Sequence, residues 1–294
     1  MAIETLNQQI TDGSPNKDFR PHLRHVRIGP SHGWAALNLR EIFEYRDLLF
    51  ILAMRDVKLR YKQTALGVSW VILQPLLSSL IFAVIFGRLA NLPSDGLPYV
   101  LFVYAGMLPW NLFSGALQRA GNSLISDSRL ISKVYFPRMI IPTASSVAVL
   151  ADLAVALAVM VILIGLYRIP PTWHLVVLPV FAILSLFVAI GVGLWISAFN
   201  VYYRDFTYAL PFLIQVWMYA SPVVYSAQMV PDRWTIAYDL NPLVGMIAGF
   251  RWCLLGSGTF PLASTSISLA VSILLFIGGT MVFRRIERNF ADVI

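Results

Sequence analysis

One cysteine, Cys253, stands in 294 residues, so the chain forms no internal disulfide and no cysteine metal cluster. Charge is scarce too: Asp, Glu, Lys and Arg make up 13%, against roughly 25% in soluble domains. With 58% hydrophobic residues and a mean hydropathy of +0.71, one globular core cannot hide the surplus, and a bilayer is the natural solvent. The signatures of catalysis are missing as well. No GxxxxGK(S/T) loop is present to cradle a nucleotide phosphate, and there is no HExxH or GxSxG. His22, His25, His32 and His174 lack ligand spacing with Cys or carboxylates. A membrane sugar transferase needs interfacial carboxylates, and "VYYRD" offers the single Asp205. Catalysis by this chain is not expected. Internal repeats and low-complexity tracts are also absent.

What the chain has is long apolar runs. Crossing about 30 Å of hydrocarbon takes roughly 20 helical residues. Six stretches qualify: Gly67–Leu89, Pro98–Gln118, Thr143–Tyr167, Trp173–Phe199, Thr207–Val230 and Leu262–Phe283. Leu48–Met54 is too short to cross. Eighteen of the 22 Lys and Arg fall on one side of the membrane under this division, leaving Arg88, Arg168, Arg233 and Arg251 on the other. The positive-inside bias therefore places both termini in the cytoplasm. The net charge of +7 is read as an affinity for lipid headgroups, not for nucleic acid, because the basic residues cluster beside apolar runs. Residues 1–36, polar and without an apolar stretch, are expected to be a flexible cytoplasmic arm and not a leader.

Between the runs lie four features of interest. Over residues 37–66, Ile42, Tyr45, Leu49 and Leu52 recur at helical spacing among Glu41, Glu44, Arg46 and Asp47. This predicts an amphipathic helix in the cytoplasmic interface, with Arg55, Lys58, Arg60 and Lys62 at headgroup level. A plain topology anchor accounts for it equally well. "SDSRLISKVYFPRMIIP" (Ser126–Pro142) predicts a short helix with an N-cap among Ser126, Asp127 and Ser128 and a stop at Pro137. Leu130, Ile131, Val134 and Tyr135 share one face, and Arg129, Ser132 and Lys133 the other. A helix so short is marginal in water, so it needs a socket, either lipid headgroups or a protein.

In the fifth run, Tyr208, Phe212, Gln215, Tyr219 and Pro222 step along one helical face. Aromatic faces with polar edges suit sugar rings, and Trp110, Phe113 and Ser114 from the second run could extend the lining. An ordinary interfacial aromatic belt is the rival explanation. The segment Pro231–Pro261 is apolar yet too short to span, and is expected to form a pair of re-entrant half-helices. Only Asp152 lies well inside a run, about 13 Å along the third helix. A hydrogen-bonded structural role is expected for it, since an ion-coupled pump would show more such groups. Gln74 before Pro75 predicts a kink in the first span.

The blocks "RDVKLRYKQTALGVSWVILQPLL", "LPWNLFSGALQRAGNSLISDSRLISKVYFPR", "NVYYRDF", "WMYASPVVY" and "LNPLVGMIAGFR", in this order, resemble the membrane subunits of type-2 ABC exporters. The polysaccharide and polyol phosphate branch, which moves O-antigen, capsule or teichoic acid chains, is the nearest in pattern. The resemblance covers about residues 40–283. It implies an all-α domain of six spans over 67–294 in a bacterial cytoplasmic (inner) membrane, working as a homodimer with a separate ATPase subunit that holds ATP and Mg; no cofactor is expected on this chain. By position it implies that Ser126–Arg138 is a coupling helix docking that ATPase through Ser128, Arg129, Leu130, Ile131, Lys133, Val134, Tyr135 and Arg138. Arg55 and Lys58 in the interface helix, and Tyr203, Arg204 and Asp205 in the turn Val201–Phe206, are implied as further contacts. Tyr238–Gly256 is implied as an outer gate, including Asn241, Pro242, Phe250 and Arg251. The expected activity is ATP-driven outward movement of lipid-linked polysaccharide. The alternatives are a type-2 permease for drugs or small lipids, an ion-coupled transporter, and an intramembrane enzyme.

Overall fold

The computed structural model describes residues 43–62, 67–133, 136–256, 259–287 and 290, all within the compact unit Ala36–Ile294. The expected arm, the start of the interface helix and the docking residues Val134 and Tyr135 lie outside the described residues. Among the described residues the regular structure is helical throughout, with no strand.

The interface helix is α1 (Arg46–Lys62). α2 (Gly67–Phe82) runs on as a π-helix through Ala83–Leu89, with Pro75 inside it. α3 (Tyr99–Ser126) leads into the short α4 (Ser128–Lys133). α5 (Ile140–Val147) and α6 (Leu150–Leu166) form one crossing broken at Ala148–Val149. α7 (Leu178–Tyr202) follows a 3-10 turn at Trp173–Val177. Next come α8 (Phe206–Tyr219), the five-residue α9 (Thr235–Asp239), α10 (Pro242–Leu255) and α11 (Leu262–Glu287).

Among the described residues, five helical stretches are long and apolar enough to cross a membrane: Ser69–Leu89, Tyr99–Ser126, Ile140–Leu166, Trp173–Tyr202 and Leu262–Glu287. The fifth expected span differs. α8 has 14 residues, about 21 Å, and ends at Tyr219 instead of continuing to Val230. Pro222 explains the stop: it brings no N–H and disfavours helical backbone at Ser221. Irregular backbone at membrane depth needs protein partners for its carbonyls, and it has them. Asn241 Nδ2 donates to the Ala220 carbonyl, and the Arg251 guanidinium donates to those of Val223 and Tyr225.

α3 is the axis of the bundle. Leu101 through Ala105 are fully buried, as are Phe113 and Ala116, and α7 packs along most of its length. Lipid offers no hydrophobic drive between helices, so close backbone approach through small residues takes its place. Gly193 of α7 faces Ala120 of α3, and Gly279 of α11 sits against the backbone of Gly191. Three buried hydroxyls are satisfied within their own helices: Ser146 donates to Pro142 O, Ser185 to Phe181 O and Thr280 to Phe276 O. α10 is buried on all sides, as a helix apolar all round must be. Its ends are well made: Asn241 caps the first turn with Pro242 at the next position, and Gly256 closes the last turn at φ +64°.

Candidate functional site

Elements at one end of the bundle come together around α4. Asp127 is the hinge between α3 and α4, and its backbone carbonyl receives the N–H groups of Leu130 and Ile131. Leu130 and Ile131 pack against the core, whereas Arg129 and Lys133 are exposed. The two faces split as the periodicity predicts, although α4 spans only six residues. Beyond it, Arg138 is tied down. Its backbone N–H donates to Glu287 Oε1 at 3.1 Å, its guanidinium donates to the Glu287 carbonyl at 3.2 Å and stacks over Phe290. The stretch that follows α4 is therefore fastened to the end of α11.

Sequence reasoning assigns Arg55 to an external contact, but the structure engages it within the chain. Its guanidinium donates to Asp127 Oδ2 at 2.7 Å and to Asp56 Oδ1 at 2.8 Å. Asp56 in turn accepts from Ser145 in the last turn of α5 at 2.9 Å. Burial lowers the Arg55 pKa, but the hydrogen bonds and charges of Asp127 and Asp56 outweigh it and hold the pKa above the ordinary value. α1 is thus joined directly to the neck of α4. Lys58 is exposed.

One turn further along α1, Asp152 gathers three donors. Arg60 reaches Oδ2 at 2.5 Å, Arg119 reaches the same oxygen at 3.1 Å, and the Tyr61 hydroxyl donates to Oδ1 at 2.6 Å. Burial, followed by the bond to Asp152, pushes the Tyr61 phenol up to about 12, so it remains a donor throughout the neutral range. This clasp joins α1, α3 and α6, and gives Asp152 the hydrogen-bonded role its isolation predicts. Sequence reasoning missed its partners, which lie 92 and 33 positions away. α1 also differs from a one-sided amphipathic helix. Leu52 and Ala53 are buried against the bundle, while Phe50, Ile51 and Leu59 are exposed, giving apolar surface on two sides.

The turn between α7 and α8 presents Tyr203, Arg204 and Asp205, all exposed. Asn200 fixes its approach: Nδ2 donates to the Gly121 carbonyl and to Asn122, and Oδ1 accepts from Thr207. On α8, Tyr208 (83% exposed), Phe212 (66%), Gln215 and Tyr219 (60%) form one outward face. The structure does not bring Trp110 and Phe113 onto that face. They are 4% and 0% exposed, with Phe113 edge-on to Trp217 at 5.0 Å. Helical spacing alone could not tell the inner from the outer side of α3. Ser114 is separated from them, on the side of α3 that faces α2.

At the opposite end, Asn241 joins α8 to α10. Its Oδ1 accepts from Trp217 Nε1 at 3.0 Å and from the Leu243 N–H, and Nδ2 donates to Ser221 Oγ at 2.9 Å. Pro242 and Phe250 are buried. Arg251, 7% exposed, donates to three backbone carbonyls, those of Phe102, Val223 and Tyr225. Its guanidinium lies over the Phe102 ring at 3.5 Å. Among the described residues no three His, Cys, Asp or Glu side chains converge as a metal site would require.

Known proteins share this arrangement of sequence. Residues 47–255 match the family described as ABC-2 type transporter. The chain is similar to the "O-antigen export system permease protein RfbA" of Myxococcus xanthus, 32% identical over 260 residues, covering 87% of this chain and 98% of the relative. The Klebsiella pneumoniae protein of the same description is 29% identical, with 84% and 95% covered. The "Polysialic acid transport protein KpsM" of Escherichia coli is 24% identical, with 67% and 76% covered.

Proposed function

The chain belongs to the ABC-2 type transporter family, and from that premise we propose that it is the membrane permease of an ATP-driven exporter carrying lipid-linked polysaccharide outward across a bacterial inner membrane. The observation that carries the substrate class is the 32% identity to an O-antigen export permease across nearly the whole of both chains. Fuel is consumed on a separate ATPase subunit, which binds ATP and Mg. α4 with Arg129, Ile131 and Lys133, and the turn Tyr203–Asp205, form the docking surface for it. Arg55 and Arg138 act from behind, holding α4 against α1 and α11.

The channel runs along a seam between two copies. Six helices of one chain make a bundle with a filled core, and the exposed aromatic face of α8 is the surface left for a partner copy and a glycan. Both termini are cytoplasmic, with α8 and the turns after it completing a sixth crossing. Closure of the ATPase pair pushes α4, and the rigid α3 carries that motion toward the outer elements α9 and α10.

The test is reconstitution. The chain is expected to co-purify with a nucleotide-binding subunit and, with it, to restore surface glycan to a strain lacking both. Ile131→Pro, or charge reversal at Arg129 and Lys133, is expected to abolish export while leaving membrane insertion intact. Normal surface glycan in those variants overturns the docking role, and export sustained by the proton gradient after ATP depletion overturns the whole assignment.

A further inference from the structure

Between α2, α3 and α6 lies a cavity of about 310 Å³, and its walls are polar where lipid-facing helices would be apolar. Gln74 and Ser78, four residues apart, contribute one face of α2; Asn111, Ser114 and Gln118, at steps of three and four, contribute one face of α3. Met107 and Leu112 add apolar surface, and the Asp152 clasp borders the cavity through Arg60 and Arg119. α3 therefore has two characters. Its aromatic side packs on α8 through Phe113 and Trp217, and its amide and hydroxyl side faces α2.

Among the described residues, the side-chain amides of Gln74, Asn111 and Gln118 and the Ser78 hydroxyl make no hydrogen bond. Ser114 Oγ makes only a long one, 3.5 Å to the Asn111 carbonyl. Gln74 and Gln118 are exposed and Ser78, Asn111 and Ser114 half-buried, so these polar groups stand open to the cavity. Five such residues on two helices offer both donors and acceptors to an occupant. Amides and hydroxyls both donate and accept, so the matching ligand does the same. A phosphate only accepts and leaves the amide oxygens unmatched; an ammonium only donates and leaves the amide N–H groups unmatched. The nearby guanidiniums, moreover, already donate to Asp152. A polyhydroxylated ring meets both requirements, and its apolar C–H face suits Met107 and Leu112. The volume is at the small end of the range for ligand sites, about 300–1,000 Å³, enough for a residue or two of glycan and not for a chain.

We infer that this cavity is a sugar-ring subsite within a single subunit, read by Gln74, Ser78, Asn111, Ser114 and Gln118. The inference rests on the polysaccharide reading above and gives it a second recognition point, apart from the α8 face. It is tested in the full chain with its ATPase subunit in nanodiscs. Cys253→Ala removes the one native thiol, and Ser114→Cys places a reporter in the cavity. An alkyl glucoside is expected to slow maleimide labelling about fivefold or more, which is about 1 kcal/mol of occupancy, while an alkyl phosphate of the same chain length does not. Adding Asn111→Leu and Gln118→Leu is expected to remove that protection, and Asn111→Ser, which keeps a hydroxyl, to retain part of it. Equal protection by the phosphate, no protection by the glucoside, or protection that survives both leucines overturns the subsite. Protection by glucoside in a pair that exports no glycan defeats the polysaccharide assignment and leaves the subsite standing; normal export without protection defeats the subsite alone.

Discussion

Asp152→Asn keeps the size of the side chain and removes the charge at the point where α1, α3 and α6 meet. A hydrogen bond to a charged group contributes about 1.5–3 kcal/mol. The Arg60 side chain is 42% exposed, so solvent screening reduces its share toward the surface value of under about 1 kcal/mol. Arg119 is less exposed, at 25%, and together with Tyr61 carries most of the clasp. The asparagine keeps one carbonyl acceptor and recovers roughly one neutral bond. Arg119 ties α3 to α6 and not to α1, so the net loosening of α1 comes from Arg60 and Tyr61 and is about 1–2 kcal/mol, or roughly 5- to 30-fold faster amide exchange. Hydrogen–deuterium exchange on the nanodisc-embedded complex reads this directly: peptides from 46–62 accelerate, and peptides from α11 do not. Tyr61→Phe, which removes a donor to the charged carboxylate outright, is expected to accelerate the same peptides by about tenfold or more. Unchanged exchange in α1, or equal acceleration in α11, refutes the reasoning, the first by denying the clasp its energy and the second by making the effect global.

Four other outcomes follow from geometry already given. Arg55→Gln combined with Asp127→Asn is expected to show a coupling energy of about 1 kcal/mol in a double-mutant thermal-unfolding cycle, and additivity would mean the pair is ornamental. Asn241→Ala loses a helix cap and strands the Trp217 indole, costing about 2–3 kcal/mol in melting experiments, with Asn241→Asp intermediate because it keeps the acceptor. Gly279→Ala drives a Cβ into the Gly191 carbonyl oxygen, so α11 is pushed off α7 and the yield of folded protein falls; wild-type yield and melting would show the contact to be looser than drawn. For topology, a cysteine at Asp95 is expected to react with an impermeant reagent from outside and one at Ser128 is not; the reverse pattern inverts the orientation.

The long runs and the α4 faces were legible because each is local: about twenty apolar residues announce a crossing, and alternation between Leu130–Ile131 and Arg129–Lys133 announces a two-sided helix. What was not legible depends on distance. The end of α8 could not be placed because a hydropathy window reads through Ser221 and Pro222, and the groups that stabilise the unwound carbonyls, Asn241 and Arg251, come some twenty to thirty residues later. The ion pair of Arg55 could not be read because its partner Asp127 lies 72 positions away. Trp110 and Phe113 were drawn outward by their chemistry, whereas their neighbours Asn111, Ser114 and Gln118 carried the better signal: a polar stripe inside a crossing marks the side of the helix that is not packed against apolar neighbours.

Anyone attaching a label or fusion partner to this chain has reason to leave its carboxyl end alone. The grip of Glu287 and Phe290 on Arg138 makes the final helix a strut behind the segment that follows α4, so clipping the last eight residues takes both the Glu287 acceptors and the Phe290 ring away from Arg138. A chain shortened in that way would keep every apolar crossing, yet whatever presses on α4 would meet a yielding support.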